Sequence, residues 1–190
     1  NDTGKSVALQ SNGKILVAGW ALTDDNYDFA LARFNADGSL DTGFSGDGRV
    51  TTAIGSSGDH GEGVVVQSDG KILVVGNSWN GIAYSIALVR YNADGSLDTT
   101  FSDDGILTTP GAYQANSVAL QPDGKLVLAG YSEVAAFAND LALVRYDTSG
   151  SLDVTFDGDG HTAYTSGSSC IDRAVDAYLL EGTLPAEGTA

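Results

Sequence analysis

The sequence predicts an all-β fold of the propeller type, with three four-stranded blades and a short C-terminal tail to which any helix is confined. Three observations carry this. A unit of about 55 residues recurs three times almost letter for letter, and a repeat of that length dictates architecture. Each unit holds four short apolar segments separated by turn residues, which is the size of one propeller blade. Gly is abundant, 25 of 190 residues against 3 Pro, well above the usual ~7% for Gly, as many tight turns between short strands require.

The repeats are read directly from the text. The first half of the unit is SVALQSNGKILVAG from Ser6, GVVVQSDGKILVVG from Gly63 and SVALQPDGKLVLAG from Ser117. The second half is DFALARFNADGSLDTGFSGDG from Asp28, SIALVRYNADGSLDTTFSDDG from Ser85 and DLALVRYDTSGSLDVTFDGDG from Asp140. Variation is confined to the residues after Gly19, Gly76 and Gly130 and to the stretch after Gly48 and Gly105, which predicts surface loops there. The units divide the chain at about 1–62, 63–116 and 117–165, with the tail over 166–190.

Within a unit, Ser6–Gln10 and Lys14–Trp20 flank Ser-Asn-Gly, whose Gly supplies the positive φ of a hairpin. Lys14–Trp20, Ile72–Val75 and Leu126–Ala129 are apolar without alternation, the signature of a strand covered on both faces. Phe29–Phe34, Ile86–Tyr91 and Leu141–Tyr146 form the third strand, apolar on both sides and interrupted by one Arg. Asn35-Ala36-Asp37-Gly38 turns the chain, and Arg49–Ala53 or Ile106–Thr109 is the fourth strand. Apolar residues at helical spacing are missing from all of these segments. Helix is expected only over Ile171–Leu180.

Charge and cysteine bound the function. Nine basic residues against 25 acids give a net charge of −16. Phosphate backbones and anionic membranes would be repelled, so neither nucleic acid nor membrane is an expected partner, and no run approaches the 18 apolar residues of a span. The single cysteine, Cys170, excludes an internal disulfide and a cysteine-built zinc site.

The pattern GKILV-G followed by LARFNADGSLD--F--DG resembles the delta-60 repeat, a bacterial family assigned to β-propellers, over about Lys5 to Gly160. The resemblance implies an extracellular or cell-surface protein with a binding or structural role, and it supplies no catalytic site. The tail from Asp157, with Gly160-His161-Thr162, Cys170 and Ala174-Val175-Asp176-Ala177-Tyr178-Leu179, resembles the C-terminal end of secreted tripeptidyl-aminopeptidase-like α/β-hydrolases. That second resemblance implies His161 as a catalytic base and is the basis of an alternative reading, a serine-type hydrolase. Ser166, Ser168, Ser169 or Cys170 would then have to serve as nucleophile. The Gly-x-Ser-x-Gly elbow such enzymes need occurs nowhere in the chain. A plainer reading aligns His161 with Arg49 and Ile106, at the start of a fourth strand.

The acid-rich turns offer the best chemical signal. Asn35, Asp37, Ser39 and Asp41 alternate oxygen side chains, and Asn92, Asp94, Ser96 and Asp98 repeat them. Such alternation can wrap one side of a calcium ion, yet a closing Glu is missing and the third copy, Asp147-Thr148-Ser149-Gly150, loses the central Asp. The competing expectation is that Asp and Asn cap their own turns, so folding is expected without calcium. Lys14, Lys71, Lys125 and Arg33, Arg90, Arg145 occur once per unit. That regularity predicts buried pairs with Asp41, Asp98 and Asp153. His60 falls in a polar stretch that reads as a loop. Trp20, Trp79 and Tyr131 stand near loops, where aromatics pack between blades or stack on sugars.

Protein or glycan ligands at the loops are the expected partners, together with a second copy of the chain. Three blades leave an apolar face at each end, so a homo-oligomer is expected. A homodimer closed head to tail into six blades is favoured, unless the tail caps one end.

Overall fold

The computed structural model describes residues 1–23, 26–110, 113–135, 138–153 and 161–163. These form twelve strands in three antiparallel sheets, with no helix among the described residues. Blade 1 contains β1 (Asp2–Leu9), β2 (Ile15–Thr23), β3 (Asn26–Phe34) and β4 (Arg49–Thr52). Blade 2 contains β5 (Asp59–Val66), β6 (Ile72–Trp79), β7 (Tyr84–Tyr91) and β8 (Ile106–Pro110). Blade 3 contains β9 (Tyr113–Leu120), β10 (Leu126–Ala135), β11 (Ala138–Tyr146) and β12 (His161–Ala163). In each sheet the strands lie in chain order. The expected helix over Ile171–Leu180 lies outside the described residues.

The β1–β2, β5–β6 and β9–β10 hairpins turn at Gly13, Gly70 and Gly124, whose φ angles are 83°, 85° and 84°. The strands themselves run further than the repeats suggest. β2 and β3 stay paired from Ile15↔Phe34 out to Thr23↔Asn26, and β6 and β7 out to Trp79↔Tyr84. Backbone pairing demands no particular side chains, so a hairpin continues through text that has diverged. The same holds for β5, which begins at Asp59, four residues before the boundary read from the repeat. His60 is therefore a strand residue, where the sequence read a loop.

A bulge interrupts the first strand of every blade, between Gly4 and Ser6, between Gly61 and Gly63, and opposite Ala129/Gly130. It throws a carbonyl against the neighbouring strand. A side chain at Gly19, Gly76 or Gly130 would land on the carbonyl oxygen of Thr3, His60 or Gln114. Only glycine fits there.

The core lies between blades. Leu16, Ala18, Phe29, Leu31 and Phe44 of blade 1 pack on Val64, Ile72, Val74, Val89 and Tyr91 of blade 2. Leu73, Val75, Leu88 and Phe101 of blade 2 pack on Leu126, Leu128, Val144 and Tyr146 of blade 3. Blade 2 is thus covered on both faces, and β6 is buried from Ile72 to Ser78. That is the physical content of its unbroken apolar run.

Candidate functional site

Antiparallel connectivity sorts the loops to two ends of the sheets. One end collects the β1–β2, β5–β6 and β9–β10 hairpins and the long β3–β4 and β7–β8 loops, all constant in sequence. The other collects the β2–β3 hairpins and the segment 53–58, which vary.

At the constant end, the turn Asn35–Gly38 is closed by its own groups. Asp37 Oδ1 accepts from Ser39 N at 2.9 Å and Ser39 Oγ at 2.6 Å, and Asn35 Nδ2 donates to Ser39 Oγ at 3.0 Å. Asp94, Ser96 and Asn92 repeat the arrangement in blade 2. In blade 3, Asp147 accepts from Ser149 and Ser151, so the turn keeps its form without the central Asp. The Asp37 and Asp94 carboxyls are held below their ordinary range chiefly by the Ser39 and Ser96 hydroxyls.

Asp41 and Asp98 are clamped from two sides. Asp41 Oδ2 accepts from Lys14 Nζ at 2.5 Å and Arg33 Nε at 2.6 Å. Asp98 Oδ2 accepts from Lys71 Nζ at 2.7 Å and Arg90 Nε at 2.6 Å, and Lys125 and Arg145 share Asp153 likewise. The once-per-unit charges are paired as expected. Desolvation is the largest influence on the Asp98 carboxyl and pushes its pKa up. The hydrogen bonds from Lys71, Thr100 and Arg90 outweigh it and hold the group well below the usual carboxylate range.

The Arg of each of the first two clamps also reaches into the next blade. Arg33 Nη1 donates to the Ala93 carbonyl at 2.5 Å, and Arg90 Nη1 to that of Thr148 at 3.1 Å. Each guanidinium lies 4.5 Å from the ring centroid of Phe44 or Phe101, an arrangement with cation–π attraction. Phe44 in turn plugs the next blade's turn: a Cβ on Gly95 would meet its Cε2 at 2.9 Å, and one on Gly150 would meet Phe101 at 2.5 Å. Thr52 Oγ1 and Tyr91 Oη are 2.7 Å apart, Thr109 Oγ1 and Tyr146 Oη 2.6 Å. Nothing in the sequence revealed this cross-blade use, although the recurrence of Arg, Phe and Gly at fixed offsets was its trace.

Between blades 2 and 3 the constant end holds a groove of about 670 Å³ lined in part by Gln67, Asp69, Lys71, Arg90, Gln121 and Asp123. Its two cations are already committed to Asp98.

At the variable end, the His60 ring packs at a tilt against Trp20 (centroids 4.7 Å apart) and Tyr27 (5.7 Å), joining blade 2 to blade 1. Lys5 Nζ lies 4.7 Å from the Trp20 centroid and 3.9 Å from Glu62. Burial, the largest influence on both groups, lowers the His60 pKa and raises that of Glu62. Trp20 is thus engaged in packing between blades. Trp79 packs at a tilt against Tyr84, centroids 4.7 Å apart, across the neck of the β6–β7 hairpin, whose tip carries Ile82, 88% exposed.

His161 opens β12, its backbone opposite Val144, the same register as Arg49 opposite Ala32 and Ile106 opposite Val89. The fourth-strand alignment holds. Ser166, Ser168, Ser169 and Cys170 lie outside the described residues. Among the described residues no group of three or more His, Cys, Asp or Glu is placed to hold a metal ion.

Short stretches of the chain are similar to hydrolases. Carboxylesterase B of Mycobacterium tuberculosis is 56% identical over 32 residues, 17% of this chain and 6% of that protein. Serine protease Hip1 of the same organism is 56% identical over 39 residues, 20% of this chain and 7% of that protein. The chain therefore spans under a tenth of these relatives. Among solved structures, a GH43_12 protein retrieved from a capybara gut metagenome superimposes with TM-score 0.47 and 6% identity, over 86% of this chain and 31% of that one. An α-L-arabinofuranosidase from Clostridium thermocellum gives 0.45 and 14%, over 84% and 49%. The match that covers most sequence is to a repeat. The profile of a beta-propeller domain of unknown function, DUF5122, fits residues 10–44, 67–101 and 121–156, together more than half of the chain. Each of those segments carries one hairpin glycine and one Arg–Asp clamp, and the chain belongs to the DUF5122 beta-propeller family.

Proposed function

We infer that the chain is a non-catalytic propeller module with a binding or structural role at the cell surface or outside the cell, and that its variable end is the ligand face. The observation that carries this reading is the division of labour between the two ends. Every repeated cation described at the constant end is engaged with an Asp, and the turn acids accept from their own serines. The variable end carries the chemistry that differs from blade to blade, including the Trp79–Tyr84 pair and the exposed tip at Ile82. Protein and glycan are the ligand classes that an amphipathic aromatic pair serves best. A glycan array and a protein array, each probed with the parent chain and with a Trp79→Ala/Ile82→Ser variant, test it. Binding lost in the variant supports the reading. Retained binding, or none with either probe, removes it.

Calcium in the turns would compete with Ser39, Lys14 and Arg33 for the same carboxylate oxygens, so we expect folding to proceed without it. The hydrolase reading rests on the short likeness to Carboxylesterase B and Hip1 and would use His161 as base. Hydrolysis of p-nitrophenyl esters by the parent chain and by His161→Ala separates the two. Equal background rates are expected, and a rate that falls with the substitution would make the chain an enzyme.

A further inference from the structure

The tip of the β6–β7 hairpin joins an Asn-Gly pair to a hydrogen-bond pattern found nowhere else among the described residues. Asn80, Gly81 and Ile82 are all exposed there, and Gly81 has a φ of 91°. Asn80 Oδ1 accepts from Ile82 N and from Ala83 N, both at 2.9 Å. Asn80 N donates to the Ala83 carbonyl at 3.3 Å, while the Gly81 N–H donates to no backbone group.

Elsewhere among the described residues, the glycine that follows an Asn or Asp is tied. The sequence has one other Asn-Gly pair, Asn12-Gly13, and there Gly13 donates its N–H to the Gln10 carbonyl at 2.9 Å. Gly70 and Gly124 repeat that bond after Asp69 and Asp123, and Gly38, Gly48, Gly95 and Gly105 donate to carbonyls of their own loops. Asn12 Oδ1 accepts a single N–H, from Lys14 at 3.1 Å.

We propose that Asn80 is a modification site, at which the chain deamidates itself through the Gly81 nitrogen. Glycine carries no Cβ to crowd the approach of its nitrogen to the preceding side chain. The free Gly81 N–H loses its proton to solvent, and the nitrogen attacks Asn80 Cγ. The carbonyl electrons move onto Oδ1, where the Ile82 and Ala83 N–H groups already point, as preorganised donors do in acyl transfer. Nδ2 takes a proton from water, the Cγ–Nδ2 bond breaks, and ammonia leaves behind a five-membered succinimide. Water then adds to one of the two ring carbonyls and opens one C–N bond, giving an aspartyl or isoaspartyl residue. The net change is one water consumed and one ammonia released. The product places a new negative charge beside Trp79 and Tyr84, and the iso form also lengthens the backbone at the tip. The reaction itself is independent of what the loops bind.

At Asn12 the same attack must first break the Gly13–Gln10 hydrogen bond, and one such bond corresponds to about tenfold in rate. The test holds the intact chain in mildly alkaline buffer, folded and in urea. Peptide mapping by mass spectrometry follows the amide-to-acid mass gain at both sites, and isoaspartyl methylation identifies the iso product. In the folded chain Asn80 is expected to convert about tenfold faster than Asn12. Urea should erase the difference, since both sites then present the same Asn-Gly pair. Asn80→Gln, which cannot close the five-membered ring, should remove the fast phase with an unchanged far-UV spectrum. Equal rates in the folded chain, faster conversion at Asn12, an Asn80 that does not convert, a preference that survives urea, or a fast phase that persists in Asn80→Gln would each overturn the proposal.

Discussion

Blade 1 and blade 2 share a strand order, a bulge, a charge clamp and most of their residues, yet they are buried differently. β6 is buried from Ile72 through Ser78, whereas β2 alternates between half-buried and buried positions over Ile15–Ala18. The two strands share the pattern Ile-Leu-Val-x-Gly at Ile15–Gly19 and Ile72–Gly76. What differs is the neighbour. In this repeat, a residue's contribution depends on which side of its blade is occupied, and equivalent substitutions in blades 1 and 2 measure that occupancy directly.

The largest expected contrast is between Val74→Asp and Val17→Asp. Val74 is at 0% exposure, and an unpaired charge there should leave little folded protein, a loss of more than about 4 kcal/mol. Val17, half-buried in β2, should give a chain that still melts cooperatively. Thermal denaturation of the pair reads the difference.

Next comes the charge clamp. Asp98→Ala leaves Lys71 and Arg90 without their shared acceptor, at a cost of about 3 kcal/mol, and urea titration should show the lower midpoint. The pH dependence follows from the same group. Its folded pKa is depressed, so its stabilisation is complete above the unfolded value of about 4 and is lost as pH falls through the folded one. The parent should therefore lose stability on acidification below about pH 4, and Asp98→Asn should flatten that part of the curve.

Smaller again is the hydroxyl pair. Burial pushes the Tyr91 phenol up to about 12, against the Thr52 hydrogen bond that lowers it, so it stays neutral at working pH. Tyr91→Phe strands the Thr52 hydroxyl and should cost about 1 kcal/mol. Blade 1 has Phe34 at this position, half-buried, so Phe34→Tyr should change the melting temperature little. The smallest effect is expected from EDTA, which should leave the melt unchanged. A drop of many degrees that calcium alone reverses would make the turns metal sites after all.

Much of this architecture was legible in the text because repetition separates structural residues from individual ones. Arg33, Arg90 and Arg145 could be assigned to buried pairs since one per unit is the spacing of a scaffold. The unbroken apolar run at Ile72–Val75 announced a strand covered on both faces. The extension of the β2–β3 hairpins was hidden, because hydrogen-bonded backbone tolerates any side chain and leaves no pattern. The role of Gly19 and Gly76 was hidden too: the carbonyl that excludes a side chain comes from a bulge, which exists only once the strands pair. His60 sat among Gly and acids and so read as loop. Its partners Trp20 and Tyr27 lie 40 and 33 residues earlier in the chain, beyond the reach of any local pattern.

The central claim is that blades 1 and 2 are each locked to the next by a Phe plugged into a glycine turn, at Gly95 and Gly150, whereas a Cβ on the equivalent Gly38 meets nothing within 4 Å. Gly38 and Gly95 have nearly the same backbone, φ 86° and 93°, so an alanine at either place bears a similar local strain. Only Gly95 faces a ring, with Phe44 Cε2 2.9 Å from the position of an added Cβ. Calorimetric melting of Gly38→Ala and Gly95→Ala is the direct measurement. The account predicts a clearly lower melting temperature for Gly95→Ala, with Gly38→Ala showing the strain alone. Equal losses in the two variants would contradict it.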